Sequence, residues 1–309
     1  MKPDSYQAGP PATVAVSGAT GLIGRALVAR LTSRGHSVRR LRRSDDGLQT
    51  GDIRWDPARG LLQPQDLAGV TAVIHLAGEP VAHRWTAARK AAIRDSRVQG
   101  TALLARVIAS LDGPPPVLLS GSAVGYYGDR GDELLDETSA PGTGFLAGVC
   151  QEWEAATRPA SAAGARVVHL RTGVVLDPAG GALEKVLPPF RLGAGGPIGT
   201  GRQWMSWIGL EDHLRALEHA LFTDRLSGAV NLVSPAPVTN AEFATTLGRV
   251  LARPALLPVP AFAVELLFGE MATETILAGQ RAMPRALVAA GFEFAYPTLE
   301  QALRHAVGR

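Results

Sequence analysis

The sequence predicts an α/β protein with a doubly wound parallel sheet and a smaller C-terminal lobe. Three observations indicate this class. Short apolar runs alternate with helical patterns, the first run leads into a glycine-rich turn, and proline and glycine become frequent after about Gly173. Because continuous apolar strands joined by helices are typical of sheets covered on both faces, we expect the strands to be parallel.

The elements follow in order from these patterns. Strands are expected at Thr13–Ser17, Ser37–Leu41, Ala72–Leu76, Val117–Ser120, Arg166–Leu170 and Ala229–Val233. Helices are expected at Leu22–Leu31, at Trp85–Ser110, which the prolines at 114–116 end, and past Asn240. We therefore expect a sheet domain over 12–175 that is rejoined by about 207–235, a C-terminal lobe over 176–206 and 236–309, and a flexible tail over 1–11.

The composition argues against several classes of protein. The formal net charge is only +3, and no apolar run approaches the roughly 18 residues of a transmembrane helix. The N-terminal stretch lacks the apolar region of a signal peptide, and the single cysteine, Cys150, excludes an internal disulfide. The seven histidines show no metal-like spacing. We expect a cytoplasmic protein with no metal site and no nucleic-acid or membrane partner.

The turn after the first strand carries the strongest signal, since it reads Gly-Ala-Thr-Gly-Leu-Ile-Gly from Gly18 to Gly24. In a Rossmann turn one glycine permits the tight bend, a second lets backbone N–H groups approach a pyrophosphate, and a third lets the helix pack closely on the strand. An apolar run precedes the turn and a helical pattern follows it, as the motif requires. The turn predicts a dinucleotide site; a tight turn without a ligand is the alternative.

The end of the second strand indicates which dinucleotide. An NAD site usually has an acidic residue there that accepts from the ribose 2′-hydroxyl. Here Arg42 and Arg43 take that place, and Asp45 and Asp46 come slightly too late in the chain. A guanidinium presents a fork of donors suited to a 2′-phosphate, so we expect NADP rather than NAD. The alternative is that these arginines are merely solvated.

Further motifs extend this pattern along the chain. They are His75–Pro80, Ser120–Ala123, Gly125–Gly128, Leu170–Leu176, Leu187–Gly193, Gly195–Gly199, Asn240–Ala244 and Gly279–Arg281. Together with the glycine turn they resemble the extended short-chain dehydrogenases/reductases, and more closely the atypical YfcH-like subfamily. Proteins of this subfamily are labelled NAD-dependent epimerase/dehydratases or sugar-nucleotide epimerases, and some are labelled SulA-family cell-division inhibitors. The resemblance covers nearly everything from Thr13 to the end, including the C-terminal domain typical of the subfamily.

The resemblance implies a set of NADP contacts. The pyrophosphate loop would consist of Gly18, Thr20, Gly21, Leu22, Ile23 and Gly24. Arg42 and Arg43 would face the 2′-phosphate, while Leu76, Ala77 and Gly78 would flank the adenine-side ribose and pyrophosphate. The remaining contacts would be Arg97 from the long helix, Ser120 and Gly121 near the nicotinamide ribose, and Val175 near the nicotinamide.

The catalytic pair of the wider superfamily is missing. That pair is Tyr-x-x-x-Lys, in which the lysine lowers the tyrosine pKa so that the tyrosine can transfer a proton. None of the four tyrosines is followed four residues later by lysine, and Phe145 and Val149 stand where the pair should fall. Neither side chain can transfer a proton. We therefore expect both to face the nicotinamide end of the cleft.

Other residues could replace the pair. Ser122 matches the superfamily's catalytic serine, and Tyr126 or Tyr127 could protonate or orient a substrate, although a packed tyrosine is the alternative for each. Glu79 could be a base or a substrate anchor, or it could form a cap or salt bridge. Arg202, with Trp204 beside it, could hold an anionic substrate group, with ordinary packing as the alternative.

Two hypotheses for function follow. The first is an oxidoreductase or epimerase-like enzyme that acts on an unknown carbonyl, alcohol or sugar-nucleotide substrate. The second is a non-catalytic NADP-binding redox sensor or scaffold. Ser122 supports the first and the missing pair supports the second, while no residue pattern supports cell-division inhibition. Proteins of this fold commonly pair through helices, so a homodimer is a further expectation.

Overall fold

The structure is a computed structural model that describes residues 10–308. Its strands are β1 Thr13–Ser17, β2 Ser37–Arg42, β3 Ile53–Arg54, β4 Ala72–His75, β5 Val117–Ala123, β6 Leu134–Leu135, β7 Val167–Thr172, β8 Val174–Leu176, β9 Trp204–Met205, β10 Trp207–Gly209, β11 Gly228–Leu232, β12 Val238–Thr239 and β13 Arg281–Ala282. Its helices are α1 Leu22–Ser33, α2 Ala87–Ala109, α3 Phe145–Ala155, α4 Arg158–Ala162, α5 Gly181–Arg191, α6 Leu210–Phe222, α7 Asn240–Leu251, α8 Ala261–Phe268, α9 Arg285–Ala289 and α10 Leu299–Val307. Residues 1–9 of the expected tail lie outside the described part, and Pro10 and Pro11 are exposed.

Seven strands form one parallel sheet, in the order β11-β7-β5-β4-β1-β2-β3. The order reverses between β1 and β4, which opens a crevice at the carboxyl ends of these two strands. The predicted α/β class with a doubly wound parallel sheet is therefore confirmed. All six expected strands lie in the sheet, and β3 is an additional edge strand.

Apolar side chains cover both faces of the sheet. Alternate residues of β1 point to opposite sides, so Val14 and Val16 join one buried cluster with α1 and α6, whereas Ala15 joins another with α2. The long helix begins at Ala87 rather than at Trp85, because the Thr86 hydroxyl accepts from Arg89 N at 3.2 Å and caps it.

The C-terminal part of the chain builds a second core. Trp207, Phe243, Leu247 and Leu303 belong to a buried cluster that also contains residues of α5. The two-stranded pairs β8–β10 and β9–β12 lie in this part of the structure. Within the described residues, no helix combines the length and apolar character needed to cross a bilayer.

The sheet ends on one side at β11, and α9 packs against that strand. The backbone N–H of Asn231 donates to Glu137 Oε1 at 3.0 Å, and its side-chain amide donates to the Met283 carbonyl at 2.9 Å. The same carboxylate oxygen accepts from Ala286 N at 3.1 Å. Residues from two distant parts of the chain therefore cover this edge.

Candidate functional site

The turn from Gly18 to Gly24 forms an open cradle of backbone at the start of α1. Each of its three glycines is needed for a different reason. Gly18 has a φ of +69°, and a Cβ there would lie 2.8 Å from the Leu76 carbonyl carbon. A Cβ at Gly24 would lie 2.1 Å from Gly18 O. At Gly21 the nearest atom would be Gly18 O, 3.4 Å away, so a Cβ would fit there and project into the open cradle.

The start of α1 adds electrostatic character to this cradle. Gly21 is the N-cap residue and offers no side-chain acceptor to the helix, and the first turn carries no acidic residue. No side chain of that turn therefore accepts from the free N–H groups or neutralises the positive end of the helix dipole. Such a helix start binds phosphate groups well.

A serine fixes the strand end beside the turn. Ser17 Oγ accepts from Leu76 N at 3.1 Å and from Ala77 N at 3.2 Å, and it lies 2.6 Å from His75 Nδ1. Burial, together with the charge of Arg97, lowers the pKa of His75 to about 3, so its ring stays neutral. Sequence analysis missed Ser17, although its place at the end of β1 was a usable signal.

Arg97 reaches the same edge from α2. Its Nη1 donates to the carbonyls of Glu79 and Ile93, at 3.0 and 2.9 Å, and its guanidinium carbon is 5.2 Å from the Trp153 ring. A Cβ at Gly78 would lie 3.1 Å from that carbon. Burial lowers the pKa of Arg97, and no carboxylate of the described residues pairs with it. It is therefore a half-buried cation with donors left for an anionic ligand.

The residues expected at the adenosine and nicotinamide ends lie on different strands of the structure. Arg42 donates to the Asp46 carbonyl at 2.6 Å, and Arg43 is exposed. At the other end Ser120 is fully buried and pairs in register with His75. Half-buried Val175 follows in β8, and a Cβ at Gly180 would lie 3.2 Å from Leu22 Cδ1 of the turn.

Ser122 belongs to a buried polar network. Its hydroxyl donates to Glu154 Oε1 at 2.7 Å, and Arg171 binds both oxygens of that carboxylate, at 2.8 and 2.9 Å. Although burial alone would lower the pKa of Arg171, its bonds to Glu154 raise it overall. Burial and, to a lesser degree, the charge of Glu154 raise the pKa of the Cys150 thiol to about 12.

The two tyrosines differ in their surroundings. Tyr127 is fully buried, donates to Asn231 Oδ1 at 2.7 Å and accepts from Arg171 at 3.1 Å. Burial raises its pKa to about 12 despite the nearby guanidinium. Tyr126 is only half-buried, and the Arg171 guanidinium lies 3.5 Å above its ring. Tyr126 is therefore the tyrosine with the more accessible side chain.

Glu154, Arg171 and Asn231 were missed as site residues. A charged residue inside a buried strand was the available signal for Arg171, which lies in the motif Leu170–Leu176. Glu154 carries no such signal, since it lies in α3 and its partners lie on β5 and β7.

The positions of the missing pair are apolar. Phe145 packs edge-on against Trp85, with ring centroids 5.0 Å apart, and Val149 is buried. Lys90 Nζ lies 4.6 Å from the Phe145 ring and pairs with Glu270 at 2.7 Å.

The three expected substrate residues occupy two places. Glu79 follows β4 and forms an ion pair with Arg89. Arg202 lines an open cavity of about 370 Å³ together with Asp129 and Asp132. Trp204 borders that region, since its indole N–H donates to Asp132 at 2.7 Å. Among the described residues, no cluster of three or more His, Cys, Asp or Glu side chains could hold a metal.

Comparison with known proteins agrees with this geometry. Residues 14–232 match the model of the NAD dependent epimerase/dehydratase family, and residues 259–306 match a domain of unknown function, DUF1731. The Epimerase family protein MT2273 of Mycobacterium tuberculosis is 48% identical over 299 residues, which is 96% of this chain and 98% of that protein.

Two solved structures are similar over almost the whole chain. Human epimerase family protein SDR39U1, solved with NADPH, is 37% identical with a TM-score of 0.87, and the match covers 96% of this chain and 99% of that one. A nucleoside-diphosphate sugar epimerase from Corynebacterium glutamicum is 39% identical with a TM-score of 0.78, over 96% of this chain and 58% of that one. These matches, the parallel sheet and the glycine turn show that the chain belongs to the NAD-dependent epimerase/dehydratase family.

Proposed function

We propose that this protein binds NADP across the carboxyl ends of β2, β1, β4 and β5. The observation that carries the proposal is the cradle at the glycine turn, where Gly21 leaves space in front of an α1 start that has no side-chain cap. The NADPH found in the human relative supports the choice of cofactor. So do Arg42 and Arg43, which follow β2 where an NAD site would carry an acid.

We propose that each end of the dinucleotide lies in its own part of this crevice. Gly18, Thr20, Gly21, Leu22, Ile23 and Gly24 would hold the pyrophosphate, with Leu76, Ala77, Gly78 and Arg97 beside it. Ser120, Gly121 and Val175 would line the nicotinamide end. Arg97 supports this assignment, because its remaining donors have no carboxylate partner among the described residues.

We further propose an oxidoreductase or epimerase-like reaction. Bound NADP supplies or accepts a hydride at C4 of its nicotinamide. When an alcohol is oxidised, its hydroxyl proton would pass to Ser122 Oγ while the Ser122 proton passes to Glu154, 2.7 Å away. Tyr126 would orient the substrate from the same strand end. Tyr127 supports the network instead, because its hydroxyl is fully engaged.

A non-catalytic redox sensor or scaffold is the second candidate, and the same network favours it. Each proton that reached Glu154 would weaken one of its two bonds with Arg171, so the relay is costly. Phe145 and Val149 offer no other route for the proton. Slow turnover or none is the expected behaviour under this alternative.

The substrate would be a carbonyl, an alcohol or a sugar nucleotide. Glu79 and the cavity at Arg202 and Trp204 offer charged and aromatic groups for its polar part. The name of the Corynebacterium relative supports a sugar nucleotide. Buried, unpaired Cys150 suits a reducing cytoplasm, and a homodimer remains part of the proposal.

A binding titration followed by a turnover screen tests both candidates. NADPH fluorescence is titrated with protein, and NADPH oxidation is then followed with carbonyl and sugar-nucleotide substrates. We expect saturable binding, and turnover that Ser122→Ala abolishes while NADPH still binds. Ser110→Ala, at the far end of α2, is the matched control. Binding without turnover for any substrate favours the sensor, and no NADPH binding contradicts the proposed function.

A further inference from the structure

Arg54 lies at the end of the edge strand β3, beside the carboxyl end of β2. Its register partner in the sheet is Arg42, so the two side chains start from neighbouring strand ends. Its Nη1 donates to the carbonyl of Arg43, and it lies 3.5 Å from the carbonyl of Arg42. The backbone that follows β2 therefore holds this guanidinium in place.

The other side of the guanidinium contacts an acid of the same turn. Arg54 Nε lies 2.7 Å from Asp45 Oδ1. The Asp45 side chain is 77% exposed and that of Arg54 is 37% exposed, so water competes for the carboxylate. An ion pair this exposed contributes little to stability, and another anion can replace the carboxylate at low cost.

Three guanidinium groups therefore surround one short turn. Arg42 donates to the Asp46 carbonyl at 2.6 Å, Arg43 is exposed, and Arg54 bridges the Arg43 carbonyl and Asp45. The resulting positive charge exceeds what the carboxylates of Asp45 and Asp46 neutralise. A phosphate brings about two negative charges and three acceptor oxygens, which satisfies such a group of arginines better than one carboxylate does.

We propose that Arg54 is a specificity-determining residue for the 2′-phosphate of NADP and that Asp45 is its resident counter-ion. On binding, the phosphate takes the place of the Asp45 carboxylate on Nε, while the backbone carbonyls keep the guanidinium in position. This inference rests on the proposed NADP site. It adds a third arginine from a strand that does not belong to the glycine motif.

The experiment measures 2′,5′-ADP and 5′-AMP binding by calorimetry, because these probes differ only in the 2′-phosphate. For Arg54→Ala we expect 2′,5′-ADP affinity to fall about five- to tenfold, with 5′-AMP affinity unchanged. For Arg54→Lys we expect a smaller loss, since lysine keeps the charge without the fork. For Asp45→Asn we expect 2′,5′-ADP to bind about two- to threefold more tightly, because the competing carboxylate is gone.

Arg59→Ala is the matched control. The Arg59 side chain is 75% exposed, and its replacement removes only an ion pair in which Nε lies 3.6 Å from Asp56 Oδ2. It should leave both affinities unchanged. The inference is overturned if Arg54→Ala weakens both probes equally, which would show a purely structural role. It is also overturned if neither Arg54→Ala nor Asp45→Asn changes the preference. If the unmodified protein binds neither 2′,5′-ADP nor NADPH, the proposed function itself fails.

Discussion

The three glycines of the turn after β1 have separate roles at the level of single residues. A side chain at Gly21 would enter the space proposed for the pyrophosphate, whereas one at Gly24 would collide with the backbone of Gly18. We therefore expect Gly21→Val to abolish NADPH binding in a folded protein. We expect Gly24→Val to lose about 3 kcal/mol of stability. Fluorescence titration and thermal melting separate the two effects, and normal NADPH binding by folded Gly21→Val would contradict the assigned loop.

The arginines after β2 should decide between NADPH and NADH. A charge-assisted hydrogen bond to phosphate contributes about 1.5–3 kcal/mol, which is tenfold or more in affinity. The unmodified protein should therefore prefer NADPH, and Arg42→Ala with Arg43→Ala should nearly equalise the two cofactors. Removing the remote, exposed Arg106 should leave the preference intact. Equal affinities in the unmodified protein would refute this role.

Among the helices, α3 shows how the C-terminal part of the chain supports the site. Its N-cap, Gly144, has no side chain, and Glu274 from a π-helical turn accepts instead, from Phe145 N at 2.8 Å and Leu146 N at 2.9 Å. This helix carries Glu154, which binds Ser122 and Arg171.

We expect Glu274→Ala to lower the free energy of unfolding by about 1–2 kcal/mol, because two N–H groups at the positive end of α3 lose their acceptor. Glu274→Gln should lose about half as much, since its amide oxygen still accepts. Denaturant unfolding measures both changes, with exposed Glu293→Ala as the control. A stability of Glu274→Ala equal to that of the unmodified protein would show that the cap has no net effect.

The same elements show what sequence can and cannot predict. Most of the six predicted strands are short and apolar, and the glycine turn is a local motif, so both follow from neighbouring residues. β3 has only two residues and no periodic pattern, so the sequence predicted neither this strand nor a role for Arg54. The helix α5 contains Pro188 and Pro189, which favour a loop prediction. The Glu154–Arg171 pair joins a helix to a strand, and only tertiary packing brings these residues together.

For the molecule as a whole, two buried histidines make stability depend on pH. Burial lowers the pKa of His75 to about 3 and that of His213 to about 4. Both histidines bind protons more readily in the unfolded chain. Their contribution to stability is therefore complete above pH 6.5 and is lost as the pH falls towards their folded-state pKa values. At pH 5 each histidine should lower the free energy of unfolding by about 2 kcal/mol relative to neutral pH. Glu137 and Asp212 act in the opposite direction, because burial raises their pKa values.

A comparison of variants measures how much His213 contributes to the pH dependence of stability. The free energy of unfolding is measured at pH 7 and pH 5 for the unmodified protein, His213→Asn and the exposed control His83→Asn. His213→Asn should reduce the loss on acidification by about 2 kcal/mol, whereas His83→Asn should leave it unchanged. An unaltered loss in His213→Asn would exclude His213 as a source of the pH dependence.

The covering of β11 bears on aggregation. An open strand edge presents N–H and C=O groups that can pair with another chain. Here the Glu137 carboxylate accepts a hydrogen bond from Asn231 N, and α9 packs against the strand. Because α9 comes from the last tenth of the described residues, a chain shortened before Arg285 would keep the sheet and the Glu137 contact but would lose the helix that packs against β11. Such fragments should therefore associate through β11 even though the dinucleotide crevice lies at a distant part of the sheet.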